Sequence, residues 1–150
     1  VRAVISHGDL FCTADHGYQQ FRTLANSLGF QTEYLALPLA TRRALAKFAR
    51  GRSRGHTDQM RTPIMDVDPA AMLEALRRGG CDLLIHGHTH RPGIHRIELD
   101  GRRATRVVLG DWYDQGSCLQ LNADATYELL SLPRTAPGST VSIEPSRLRV

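Results

Sequence analysis

The chain opens on a short apolar run, Val1, Ala3, Val4 and Ile5, which predicts a buried β-strand over Val1 to Ser6. From about Gly17 the period changes, with Tyr18, Phe21, Leu24 and Leu28 recurring at helical spacing. Helical patterning continues to Arg50, but Pro38 interrupts it, so a second helix is expected from about Leu39 to Arg50. Gly51 to Arg61 is polar and contains glycine, which predicts a flexible loop. Asp68-Pro69 then supplies an N-cap and a first-turn proline, Met72, Leu73 and Leu76 form a buried stripe, and Gly79-Gly80 stops the helix. Cys81 to Ile85 follows as a short buried strand. The remainder reads as β: His95 to Leu99, a turn at Asp100-Gly101, Ala104 to Leu109, Cys118 to Leu121 and Tyr127 to Leu132. Arg134 to Val150, rich in Pro, Ser, Thr and Arg, is expected to be a weakly ordered tail. The order of elements is that of an α/β chain.

An apolar strand at the very start, beginning on Val1, calls for neighbours on both sides. The chain is therefore expected to be the carboxy-terminal part of a longer protein. Its 150 residues, 41% of them hydrophobic, suffice for one compact domain. The net charge is only +4, yet Arg42, Arg43, Lys47, Arg50, Arg52 and Arg54 lie within thirteen residues that contain no acid. On a helix, Arg43, Lys47, Arg50 and Arg54 form one basic stripe, which reads either as a solvated face or as a surface for an anionic partner. Cys12, Cys81 and Cys118 are odd in number and contain no C-x-x-C pair, which excludes a disulfide scaffold or a zinc ribbon. No apolar run is long enough to cross a bilayer.

The candidate chemistry lies in histidines. Ile85-His86-Gly87-His88-Thr89-His90-Arg91-Pro92 places three imidazoles at alternate positions after an apolar strand, and His7-Gly8-Asp9 follows the first strand in the same way. Alternate residues of an extended backbone face one side, so His86 and His88 are expected to face one metal cluster, with Gly87 letting the backbone come close. Loops at strand ends are also where open sheets place their sites. His90 is left between a third ligand and a supporting role, and His16, His56 and His95, taken singly, read as surface residues. Asp9 and Asp111 are either acceptors for ligand histidines or turn residues.

Ser6-His7-Gly8-Asp9 and Ile85-His86-Gly87-His88-Thr89-His90-Arg91-Pro92 resemble the last two motifs, H-G-D and G-H-x-H, of the signature of the calcineurin-like metallophosphoesterases. Within that superfamily the closer resemblance is to the family that cleaves the pyrophosphate of UDP-2,3-diacylglucosamine in lipid A biosynthesis. It rests on Leu10 to Arg22, Leu35-Ala36-Leu37-Pro38-Leu39, Ile64-Met65-Asp66-Val67 and Arg106 to Trp112, and covers about Val1 to Pro133 in order.

The resemblance implies part of a metallophosphoesterase β-sandwich flanked by helices over residues 1–133, with a helical cap at about 17–61. It implies two Mn²⁺ ions with His7, His86 and His88 among their ligands, and substrate contacts from Asp15, Ser53, Thr57 and His86. Position 60, a lysine in the family, is Met60 here with Arg61 beside it. The expected reaction releases UMP and 2,3-diacylglucosamine 1-phosphate. Leu35, Leu37, Leu39 and Phe48 are expected to enclose acyl chains, and the basic stripe to meet an anionic membrane surface, a peripheral place on the cytoplasmic face of the bacterial inner membrane. The family's D-x-H, G-D and G-N-[HR]-D motifs are absent from this stretch, so it is expected to be inactive alone. Two other readings are a phosphodiesterase acting on nucleotides or nucleic acid, which the basic helix permits, and a non-catalytic basic binding module.

Overall fold

The structure is a computed structural model that describes residues 1–59, 66–113 and 115–133, with the side chains of residues 52–59, 115 and 133 outside the description. The expected tail at 134–150, and Met60, Arg61, Ile64 and Met65, also lie outside the described residues. The chain is mixed α/β and divides into two units, Val1–Phe11 with Val67–Val150, and Cys12–Asp66.

The first unit holds a four-stranded sheet in the order β1 (Val4–Ser6), β2 (Leu83–His86), β4 (Arg102–Val108), β3 (Gly93–Leu99). β1, β2 and β4 run parallel, and β3 and β4 form an antiparallel hairpin. Its two-residue loop, Asp100-Gly101, takes positive φ at both positions (52° and 78°), the geometry that suits the twist of paired strands. β5 (Gln115–Leu121) and β6 (Tyr127–Pro133) pair separately. Strand alternation sends Leu83, Ile85 and Val107 to one face, where they pack with Leu129 of β6. Leu84 and His86 therefore face the other way, and both are fully buried.

Helix α4 (Pro69–Gly79) forms as the sequence predicts. The Asp68 carboxylate accepts the Ala70 N–H at 2.8 Å, Pro69 occupies the first turn, and Gly80 ends the helix at φ 57°. α4 buries Met72 and Leu76 and touches β1, β3 and the 3-10 turn at Asp9–Phe11. The Asp68 N–H donates to the Phe11 carbonyl at 2.7 Å, so the chain returns from the second unit at the point where it entered. Arg77 forks onto Asp100, with Nη2 to Oδ1 at 2.7 Å and Nε to Oδ2 at 3.0 Å.

The second unit is helical: α1 (His16–Ala25), α2 (Leu28–Ala36) and α3 (Leu39–Gln59). Three expectations are corrected. The first helical zone is split, because the Ser27 hydroxyl caps a new helix by accepting the Phe30 N–H. The loop expected from Gly51 is helical as far as Gln59, since Gly51 and Gly55 each cost only about 1 kcal/mol and no proline follows before position 63. The opening strand is Val4–Ser6 rather than Val1 to Ser6, and among the described residues it pairs with β2 alone, leaving Ile5 77% exposed.

Leu84→Ala is expected to lower unfolding stability by about 2–5 kcal/mol, measured in urea, because a fully buried leucine leaves a cavity. The Arg77 hydrogen bond holds the Asp100 carboxyl below its ordinary pKa, so the contact adds stability above the unfolded carboxylate value and loses it as pH falls through the folded one. In Arg77→Ala, NMR titration should find the Asp100 carboxyl moved upward, with the acid-side loss correspondingly reduced.

Candidate functional site

Parallel pairing of β1 with β2 in the register Ser6↔His86 brings two loops out at the same sheet edge, one beginning at His7 and the other at Gly87. A backbone bond joins them, the Gly87 N–H donating to the His7 carbonyl at 3.0 Å. The approach depends on Gly8, which has φ 106°. A Cβ built there would lie 2.8 Å from His86 Nδ1 and 2.9 Å from the Gly87 oxygen. Both the backbone angle and the space demand glycine.

The His7 and His88 rings meet edge to face with centroids 5.0 Å apart. His7 Nδ1 lies 3.1 Å from Asp9 Oδ1. An ionised carboxylate only accepts, so this bond puts the His7 proton on Nδ1 and the lone pair on Nε2, the atom available for a metal. Asp9 is buried while the His7 side chain is 66% exposed, so a fixed acid holds an accessible base. His88 has φ 67° and His90 φ 52°. The His90 ring packs against Tyr113 at 5.8 Å, and its Nδ1 lies 3.6 Å from Asp111 Oδ2, beyond hydrogen-bond length. Asp111 Oδ1 accepts the Tyr113 N–H at 3.3 Å, so this acid also shapes a turn. The Thr89 hydroxyl oxygen is buried without a hydrogen-bond partner among the described residues.

His86 differs from the other histidines of the site. It is 1% exposed, its Nε2 accepts from Arg106 Nε at 2.9 Å, and its Nδ1 donates to the Gly87 carbonyl at 2.8 Å. Phe11 covers it edge-on at 5.9 Å. The expectation that His86 and His88 share one side assumed extended backbone through His88. The positive φ at His88 breaks that alternation, and the imidazole brought to His7 is that of His88. The G-H-x-H pattern itself falls on Gly87, His88 and His90, a signal in the sequence that points past His86.

The other residues singled out from sequence belong to the helical unit. Asp15 caps α1, its Oδ1 accepting the Tyr18 N–H at 2.9 Å. Ser53 and Thr57 lie on the backbone of α3, and their side chains are outside the described residues. Leu35, Leu37, Leu39 and Phe48 are exposed, while Arg43 and Lys47 share the backbone of α3 with Arg50 and Arg54. None of the helices described is long and apolar enough to cross a membrane.

Among the described residues no group of three or more His, Cys, Asp or Glu is arranged to hold a metal. His7 and His88 fit as part of a coordination shell: two imidazoles face each other, and one is fixed in the tautomer that leaves Nε2 outward. His86 does not fit, because both its ring nitrogens are engaged.

The chain matches no protein-family profile. It is 51% identical over 118 residues to a UDP-2,3-diacylglucosamine hydrolase of Aeromonas hydrophila, an alignment of 79% of this chain and 49% of that protein. A protein of the same name from Aeromonas salmonicida is 47% identical over 137 residues, 91% of this chain and 54% of its own length. The one from Stenotrophomonas maltophilia is 44% identical over 136 residues, 85% and 55%. The chain thus spans about half the length of these curated relatives.

Gly8→Ala is expected to destabilise the first unit by more than about 1 kcal/mol, from the forbidden φ and the backbone clash together. It should also separate His7 from His88, which loss of the nuclear Overhauser contacts between the two rings would reveal.

Proposed function

The chain is homologous to the UDP-2,3-diacylglucosamine hydrolase family over most of its own length, and from that premise we propose that the protein carrying it hydrolyses the pyrophosphate bond of UDP-2,3-diacylglucosamine. The observation that carries this reading is the alignment itself. At 47% identity over 137 of 150 residues it necessarily runs through the His86–His90 loop as well as the helical unit. Water adds across the bond, and the products are UMP and 2,3-diacylglucosamine 1-phosphate, a step of lipid A biosynthesis.

In this reading the first unit is part of a metallophosphoesterase β-sandwich, supported by the packing of Leu83, Ile85 and Val107 against Leu129, and the helical unit is its cap. Two Mn²⁺ ions would neutralise phosphate oxygens and lower the pKa of an attacking water. His7 and His88 are the residues of this chain that would hold them, with His90 the next candidate and the remaining donors supplied from outside the described residues. Asp9 orients the His7 ring through Nδ1. Asp15, Ser53 and Thr57 are the substrate contacts proposed for the cap. Exposed Leu35, Leu39 and Phe48 provide apolar surface for acyl chains, and the cationic stripe of α3 suits an anionic membrane face, a peripheral attachment on the cytoplasmic side of the inner membrane.

The test is UMP release from UDP-2,3-diacylglucosamine by the protein that carries this chain. Activity is expected to require added Mn²⁺, to vanish with chelator, and to fall by at least about 100-fold in His88→Ala, more than outer-shell losses of 10–100-fold. A preference for bis(p-nitrophenyl) phosphate or DNA over the UDP-lipid would reassign the substrate to another phosphodiester.

A further inference from the structure

Gly87 is held on both sides of its residue. Its N–H goes to the His7 carbonyl, and its own carbonyl accepts two donors, the Thr89 N–H at 2.8 Å and His86 Nδ1 at 2.8 Å. The bond from Thr89 to Gly87 spans two residues, and the residue between them, His88, has φ 67°. That combination is a γ-turn of the rare form with positive φ, which is strained for any side chain and persists only where its surroundings enforce it. The enforcing group here is the His86 ring. It supplies the second hydrogen bond to the carbonyl that closes the turn, and it is itself held in one tautomer because Arg106 Nε donates to its Nε2.

Strand geometry explains how the parts meet. Arg106 on β4 lies in register with Leu84 on β2, so its side chain shares the face that carries His86 two residues further on. Phe11 closes over the imidazole, and Gly8 leaves no room for it to swing toward the adjoining loop. A ring enclosed in this way is poorly placed to leave its two partners for a metal.

We propose that His86, with Arg106, is a positioning residue that clamps the strained turn presenting His88, and is not itself a metal ligand. The proposal rests on the metal-site reading above but not on the identity of the substrate. It predicts that loss of the clamp weakens metal binding without removing a coordination position.

The experiment counts Mn²⁺ bound at saturation, and its affinity, in the protein that carries this chain and in three variants. His86→Phe keeps the ring volume and removes both hydrogen bonds, and should bind the wild-type number of ions with affinity weaker by roughly 10–100-fold. His86→Asn restores an N–H near the position of Nδ1 and should recover part of that loss. His88→Ala should bind fewer ions. A lower ion count in His86→Phe, matching His88→Ala, would overturn the proposal. Wild-type protein gives a second reading that needs no variant to fold: ¹⁵N NMR should show His86 with its proton on Nδ1, and its Nε2 signal should have no coupling to added ¹¹³Cd²⁺. Coupling of His86 to cadmium would overturn the clamp. Binding in the expected pattern without hydrolysis of the UDP-lipid would uphold it and overturn only the substrate assignment.

Discussion

The site depends on the closeness of two backbones at Gly8 and Gly87. β1 has only three residues and, among those described, only one neighbouring strand, so the bond from Gly87 to the His7 carbonyl extends a short pairing by one step beyond the strand. That step aligns the loops and sets His7 against His88. Removing the Cβ at position 8 makes it possible, because there is no space at that point between the chain and the His86 ring. The arrangement of His7 and His88 thus starts from main-chain packing, and the His86 side chain adds its own bond to the Gly87 carbonyl.

Much of the fold was legible in the sequence because its signals are local. Asp68-Pro69 and Gly79-Gly80 bound α4 with side-chain and backbone chemistry that needs no tertiary partner. Asp100-Gly101 likewise identifies the hairpin turn. Pro38 is the break that the pattern offers in the helical zone, whereas α2 starts earlier, where the Ser27 hydroxyl supplies the cap. The continuation of α3 beyond Gly51 is hidden because a polar, glycine-containing stretch reads as a loop, whereas the helix runs on to Gln59.

For the candidate site, sequence located the two loops but not the direction of each ring. Alternation is a rule for extended chain, and it fails where φ becomes positive, at His88 and His90. Nothing in the residue order shows that Arg106, twenty positions downstream, would engage the His86 ring, because that contact exists only once β2 and β4 lie side by side. Asp9 is a different case: placed two residues after His7, it was recognisable as an acceptor, and the structure puts its carboxylate on the ring.

The bond between Asp68 and Phe11 gives the helical unit a common doorway. The strands that hold the histidines are about eighty residues apart, yet most of that distance is spent in Cys12–Asp66, which leaves and rejoins the first unit at one point. Loop-closure entropy grows only with the logarithm of length, about 0.6 kcal/mol for each doubling. An excursion that departs and returns through one doorway can therefore be lengthened, shortened or rebuilt at little cost to the pairing of β1 with β2. Whatever the helices meet is free to vary while the two histidine loops keep their register, so the two units can evolve on separate clocks.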